Sequence, residues 1–228
     1  MRGVRRLAGI VGIQLPLVLP PNPASSPAGG DYSPFLHFGS WDHELTSLIA
    51  AYMRKHRHGR FLDAGGGDGN GSRHLAGRYE HVVLDIASTS PGAVIADLCD
   101  CPQVPDASFD IVYSLSTYEH LDRPWLAAAE TGRILKPGGL ALVSTCFAWR
   151  FHPVPGDYWR FSHMALERIF EDAGLETITS GYDLRARRHD MRGKLPGNAD
   201  AVPVDDLGGF RENWGVYYAG RKVASAVL

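Results

Sequence analysis

The densest chemistry of the chain lies in one contiguous stretch, Phe61-Leu62-Asp63-Ala64-Gly65-Gly66-Gly67-Asp68-Gly69-Asn70-Gly71. A short apolar run enters a glycine cluster, and a helix is expected from Ser72 to Gly77. Glycine lets a backbone approach a ligand closely and take positive φ. A helix N-terminus favours polar or anionic groups. The dinucleotide fingerprint GxGxxG fails in both registers: from Gly65 and Gly67 its last position is Asn70, and from Gly67 and Gly69 it is Ser72. The P-loop fails because no GK[ST] follows. A D-x-G-x-G-x-G pattern does run through Asp63, Gly65, Gly67 and Gly69. Three other stretches concentrate reactive side chains: Ser116 to His120, Phe151 to Phe161, and the basic run Arg185 to Lys194.

These residues need a scaffold, and the pattern around them supplies one. Trp41–His56 reads as a helix, with Ser40 as cap, Leu45, Leu48, Ile49 and Tyr52 at helical spacing, and Gly59 beyond its basic end. His81–Ile86, Phe109–Ser114 and Leu140–Cys146 read as buried strands. Pro124–Leu135 reads as an amphipathic helix stopped by Lys136-Pro137-Gly138-Gly139, and Met164–Ala173 as a helix stopped by Gly174. Leu175–Ser180 and Trp214–Arg221 complete the strands. Alternating strands and helices at this spacing imply an α/β fold, a parallel sheet with helices on both faces. Residues 181–213 break the pattern, and a connection of that length is often functional.

Composition narrows the function classes. The 228 residues carry 23 Lys and Arg against 25 Asp and Glu, a net charge of −2, which excludes a globally basic nucleic-acid binder. Cys99, Cys101 and Cys146 are too few and too odd in number for a disulfide framework, and fit a reducing, cytoplasmic setting. No run approaches the ~20 apolar residues of a membrane span. Arg2, Arg5 and Arg6 precede an apolar stretch in the manner of a secretory signal. Gln14 and Pro16 interrupt that stretch, and Pro27 follows the best cleavage pattern. Residues 1–39 are therefore read as an arm or lid, with a domain over 40–228 that carries the 181–213 insertion.

The D-x-G-x-G-x-G loop resembles that of the class I S-adenosylmethionine (SAM)-dependent methyltransferases, and the resemblance continues along the chain. Asp85 ends the next strand, 22 residues beyond Asp63. Asp97-Leu98 lies in A-D-L-C-D-C-P, similar to the family's adenine-contacting turn. Pro105–Asp110 and Leu135–Gly139 look like its fourth-strand entry and fifth-strand turn. The resemblance covers roughly residues 59–180, with a final hairpin to 223. It implies a Rossmann-like, seven-stranded, mostly parallel sheet with a C-terminal antiparallel hairpin, and SAM as cofactor. It further implies cofactor contacts from Asp63, Gly65, Gly67, Gly69, Asp85, Asp97, Leu98 and Ser114. Asp85 would take both ribose hydroxyls as a bidentate acceptor, and Asp97 the adenine amino group.

The acceptor is less constrained. The [DN]PP[YF] tetrad of nucleobase N-methyltransferases is absent after the fourth strand, which disfavours nucleic acid. His120, His152 and Tyr158 are the catalytic candidates. Tyr32, His37, Arg160, Arg187 and Arg188 are the substrate-binding candidates, with the last three forming an anion clamp. A salt bridge between Asp157 and Arg160, and a solvated basic run, are the plainer alternatives. The CxC pair and scattered histidines argue against metal. The expectation is O-methylation of a small anionic (carboxylate, phosphate or phosphonate) or sugar-like metabolite by in-line transfer. A small-molecule N-methyltransferase and a catalytically silent SAM-binding subunit are the alternatives, and a homodimer is compatible with either.

Overall fold

A computed structural model of the chain describes residues 41–149, 151–153, 155–186 and 213–223. Period-two alternation along its strands sorts side chains onto two faces of one sheet. Phe61, Ile111, Tyr113, Leu142 and Tyr217 bury on one face, around Leu45 and Ile49 of helix α1 (Trp41–Lys55). Leu62, Val112, Ala141, Val143 and Tyr218 bury on the other, against helices α3 (Pro124–Ile134) and α4 (His163–Asp172). Phe170 of α4 stacks on Tyr218, with ring centroids 4.5 Å apart and planes 8° from parallel. Apolar layers on both faces are what a largely parallel sheet requires.

The strands are β1 (Arg60–Ala64), β2 (Glu80–Asp85), β3 (Val94–Ile95), β4 (Phe109–Leu115), β5 (Leu135–Ala148), β6 (Leu175–Ala186) and β7 (Asn213–Lys222). Their order is β3-β2-β1-β4-β5-β7-β6. The first five run parallel, and β7 is antiparallel to both β5 and β6. The sheet is thus the expected Rossmann-like form with an antiparallel C-terminal hairpin. Chain direction across the sheet reverses between β1 and β4, the switch point where such sheets open a crevice at their strand carboxyl ends.

Several boundaries differ from the sequence expectation. Helix α2 is a single turn, Arg73–Ala76, because the glycine loop uses the residues before it. Strand β6 continues to Ala186, where its last rung pairs with Asn213. Residues 181–186 therefore belong to the hairpin and not to the irregular insertion. Strand β5 begins at Leu135, which pairs with Phe109 before the ladder shifts register through the Lys136–Gly139 turn. The arm over residues 1–39, with Tyr32 and His37, lies outside the described residues, as do Arg187 and Arg188. Among the described residues, no helix is long and apolar enough to cross a membrane.

Candidate active site

A cavity of about 520 Å³ opens at the carboxyl ends of β1, β2 and β4. The glycine turn reaches it at Gly65. Gly65 takes φ 77° and donates its N–H to the Leu84 carbonyl at 2.7 Å. A Cβ there would collide with the Thr117 side chain as well as strain the backbone. Gly67, at φ 57°, donates its N–H to Asp85 Oδ2 at 2.9 Å. Ala87 N–H takes the other oxygen, Oδ1, at 2.9 Å. Two backbone donors thus fix the Asp85 carboxylate on the cavity wall, while each oxygen keeps a second lone pair. Gly69 lies behind the wall, with Val83 packed where a Cβ would stand.

Leu98, Ala96 and Ile86 give the same cavity an apolar wall, with Ile86 57% exposed into open space. Asp97 sits at its rim, its Oδ1 held by Cys99 N–H at 2.8 Å. A fixed carboxylate for a diol, an apolar slot for a flat ring and a carboxylate at the ring's edge match an adenosine moiety. The cavity therefore fits SAM, and Asp85, Asp97, Leu98 and the Gly65 backbone are the residues that can hold it.

Asp63 and Ser114, two of the expected cofactor contacts, are not among the residues lining this cavity. Asp63 is buried beneath Gly66, off the cavity wall, and accepts the Ser72 hydroxyl on Oδ2. With its hydroxyl hydrogen directed at Asp63, Ser72 Oγ accepts from His81 Nε2–H at 2.8 Å. Burial pushes the Asp63 carboxyl up from its ordinary value, opposed by the Ser72 hydrogen bond. Burial and then the Arg73 charge push His81 down. This chain ties β1, α2 and β2 together under the loop. Ser114 Oγ donates to the Ala64 carbonyl at 2.9 Å, tying β4 to β1.

A second cavity, about 270 Å³, adjoins the first and is bounded by Ser116, Glu119, His120, Thr145, Cys146, Trp149, His152 and Gly215. Ser116 and His120 line both cavities. Ser116 adopts φ 51°, a left-handed conformation costing a non-glycine residue about 1 kcal/mol, and it turns the chain from β4 into the 3-10 turn Tyr118–His120. The His120 ring donates Nδ1–H to the Gly156 carbonyl, which leaves Nε2 as the acceptor nitrogen. His152 lies edge-on to His120, centroids 4.9 Å apart, and its Nδ1 is 3.4 Å from Asp157 Oδ2.

Asp157 organises this side. It accepts His152 N–H at 2.7 Å and both terminal nitrogens of Arg160. The Arg160 guanidinium, then burial acting the other way, leaves the Asp157 carboxyl well below the usual carboxylate range. Arg160 also donates to the Trp149 and Trp159 carbonyls. Its fork is engaged by its own loop, which is the ion pair of the plainer alternative. Tyr158 is exposed on the wall of the larger cavity, anchored by its N–H to the Glu119 carbonyl at 2.8 Å.

Glu119 was not among the sequence candidates. It is fully buried, with Thr145 Oγ1 donating to Oε2 and Cys146 Sγ donating to Oε1 at 3.2 Å. Its signal was topological. The segments after β4 and β5 leave the same end of adjacent parallel strands, which brings residues 119–120 and 152 to one region.

Residues 62–143 match the methyltransferase domain family. The 27-O-demethylrifamycin SV methyltransferase of Amycolatopsis mediterranei is 27% identical over 131 residues, covering 46% of this chain and 48% of that enzyme. That alignment therefore spans about half the length of the relative. The O-methyltransferase rstn1 of Aspergillus nomiae is 25% identical over 210 residues, covering 79% of this chain and 88% of the relative. Among solved structures, the 1,6-didemethyltoxoflavin-N1-methyltransferase of Burkholderia thailandensis, bound to S-adenosylhomocysteine, superposes with a TM-score of 0.54 at 16% identity. It covers 81% of this chain and 79% of that one, a likeness of fold.

Proposed function

We infer that this chain, a class I SAM-dependent methyltransferase by its fold and its domain match, methylates an oxygen of a small hydroxyl-bearing metabolite, sugar-like acceptors included. One observation carries the reading. His120 stands in the wall shared by the cofactor-shaped cavity and the smaller polar cavity. An acceptor seated in the second cavity would present its nucleophile at the boundary where His120 stands.

SAM, when bound, supplies an electrophilic methyl group on a sulfonium. The chain supplies position. Asp85, set by Gly67 and Ala87, takes the ribose hydroxyls. Leu98 and Asp97 take the adenine face and edge, and the open turn at Gly65 admits the amino acid end. In-line transfer then needs alignment more than chemistry from side chains. A hydroxyl nucleophile must lose its proton, and the Glu119–His120–His152 cluster lies where that proton leaves. The two relatives named O-methyltransferase or 27-O-demethylrifamycin methyltransferase support oxygen as the nucleophile. The commitment of Arg160 to Asp157 moves the reading away from an anion clamp and toward a neutral hydroxyl.

The rival, N-methylation, draws on Glu119, because a buried carboxylate also suits a substrate ammonium. Incubation of the chain with SAM and parallel panels of hydroxylated and aminated small molecules decides between them. S-adenosylhomocysteine release with a methyl ether as product is expected. Methylated amines alone would replace the oxygen reading, and SAM binding without turnover on either panel would favour a silent binding subunit.

A further inference from the structure

The smaller cavity has a composition that methyl transfer by alignment does not require. Glu119, His120 and His152 each offer a ligand atom there, and these atoms lie within 4.8 Å of one another. Glu119 is fully buried, and among the described residues a hydroxyl and a thiol donate to its two carboxylate oxygens. None of the ion pairs among the described residues reaches it. The nearest cation acting on it is the Arg160 guanidinium, which is paired with Asp157, and an ion in the adjoining cavity would face the carboxylate directly.

The two imidazoles are arranged as metal-binding imidazoles are. A ligating histidine is oriented by an acceptor on its other ring nitrogen, usually a carbonyl or a carboxylate. His120 gives Nδ1–H to the Gly156 carbonyl, and His152 places Nδ1 beside the Asp157 carboxylate. The first contact leaves His120 Nε2 as its ligating atom. Asp157 is itself fixed by Arg160, so the outer layer is rigid.

We propose that Glu119, His120 and His152 form a binding site for a divalent transition-metal ion in the acceptor cavity. Two imidazole nitrogens and one carboxylate select an ion such as Zn²⁺, Co²⁺ or Fe²⁺ over Mg²⁺ or Ca²⁺, which prefer all-oxygen shells. Three protein ligands leave coordination positions open toward the cavity, as in sites that act on a bound molecule. An acceptor hydroxyl at an open position would be acidified by the ion's charge and lose its proton to solvent. The O–C bond then forms as the S–C bond of SAM breaks. The site goes beyond the methyltransferase reading and does not depend on it.

Stripping the full chain with a chelator and titrating it calorimetrically with Co²⁺ or Zn²⁺ alone tests the site. One ion per chain is expected, with affinity falling about a hundredfold or more in His120→Ala and in His152→Ala. His74→Ala, which removes an exposed histidine on α2, should leave the affinity unchanged. Unaltered far-UV circular dichroism in His152→Ala shows that the loss is not unfolding. Binding that survives both cavity variants, or no binding to the parent chain, overturns the site. The titration uses neither SAM nor acceptor, so its failure leaves the methyltransferase reading standing, and a failure to methylate leaves the titration to be judged by itself.

Discussion

The two cavities that share His120 are built by different means. The cofactor side is set by backbone: Gly65, Gly67 and Ala87, just after two adjacent strands, supply the conformation and N–H donors that fix its one central carboxylate, Asp85. The acceptor side is made of side chains that converge from separate segments, with Glu119 and His120 meeting His152, Asp157 and Arg160 across about 30–40 residues. A site set by backbone is intolerant at its glycines and depends on few side chains, Asp85 first among them. A site made of side chains can be emptied one residue at a time, and can change its substrate by the same route.

His120→Ala is the sharpest probe of this division. Turnover should fall by about a hundredfold or more, whichever way the cluster handles the acceptor proton. SAM affinity, measured by calorimetry, should stay close to that of the parent. Equal losses in both would merge the two cavities into one functional unit. Asp85→Ala makes the mirror-image test. SAM affinity should weaken by about 2–4 kcal/mol through loss of two charge-assisted hydrogen bonds, with turnover at saturating SAM little affected. Unchanged affinity would remove Asp85 from the cofactor site.

Two stability effects follow, of opposite sign in pH. Asp157→Asn should cost about 2 kcal/mol in denaturant unfolding, because the buried carboxylate would no longer pair with the half-exposed Arg160. The Asp157 carboxyl is held below its ordinary value, so its contribution is complete above the usual Asp range near ~3.9 and is lost only as pH falls below that range. Acid unfolding of the parent and the variant should therefore converge at low pH. Asp63 runs the other way. Its carboxyl is raised by burial, so the folded state holds a proton that the unfolded state releases, and stability declines as pH climbs from ~3.9 through the raised value. Asp63→Asn should flatten that decline while changing stability at neutral pH by less than about 1 kcal/mol, since Asn can still accept from Ser72. A decline as steep in the variant as in the parent would mean that Asp63 is not the group responsible.

The same division explains what could be read from the chain before its structure. Strands β1, β2, β4, β5 and β7 announce themselves as apolar runs, and the glycine turn is a contiguous motif, so the elements around the larger cavity were legible in order and position. Val94–Ile95 was not, because two residues carry no periodicity. The far half of β6 was hidden by Gly181 and Asp183, which pair in the ladder with Tyr217 and Gly215 although neither residue type favours strands. Asp63 and Ser114 carry the right residue types at the right motif positions, yet their side chains turn toward neighbouring strands. Glu119 escaped because its meaning comes from Thr145, Cys146 and His152, none of them near it in sequence.

Ser116 restricts how this protein can be changed. Its left-handed backbone closes the position to Val, Ile and Thr, whose branched Cβ cannot follow, and leaves Gly, Asn and Asp as the tolerated alternatives. Since Ser116 borders both cavities, a mutational search for new acceptors that randomises the wall will find this position nearly silent. The productive variation will fall instead on Thr145, Cys146 and Trp149, whose backbones carry no such constraint.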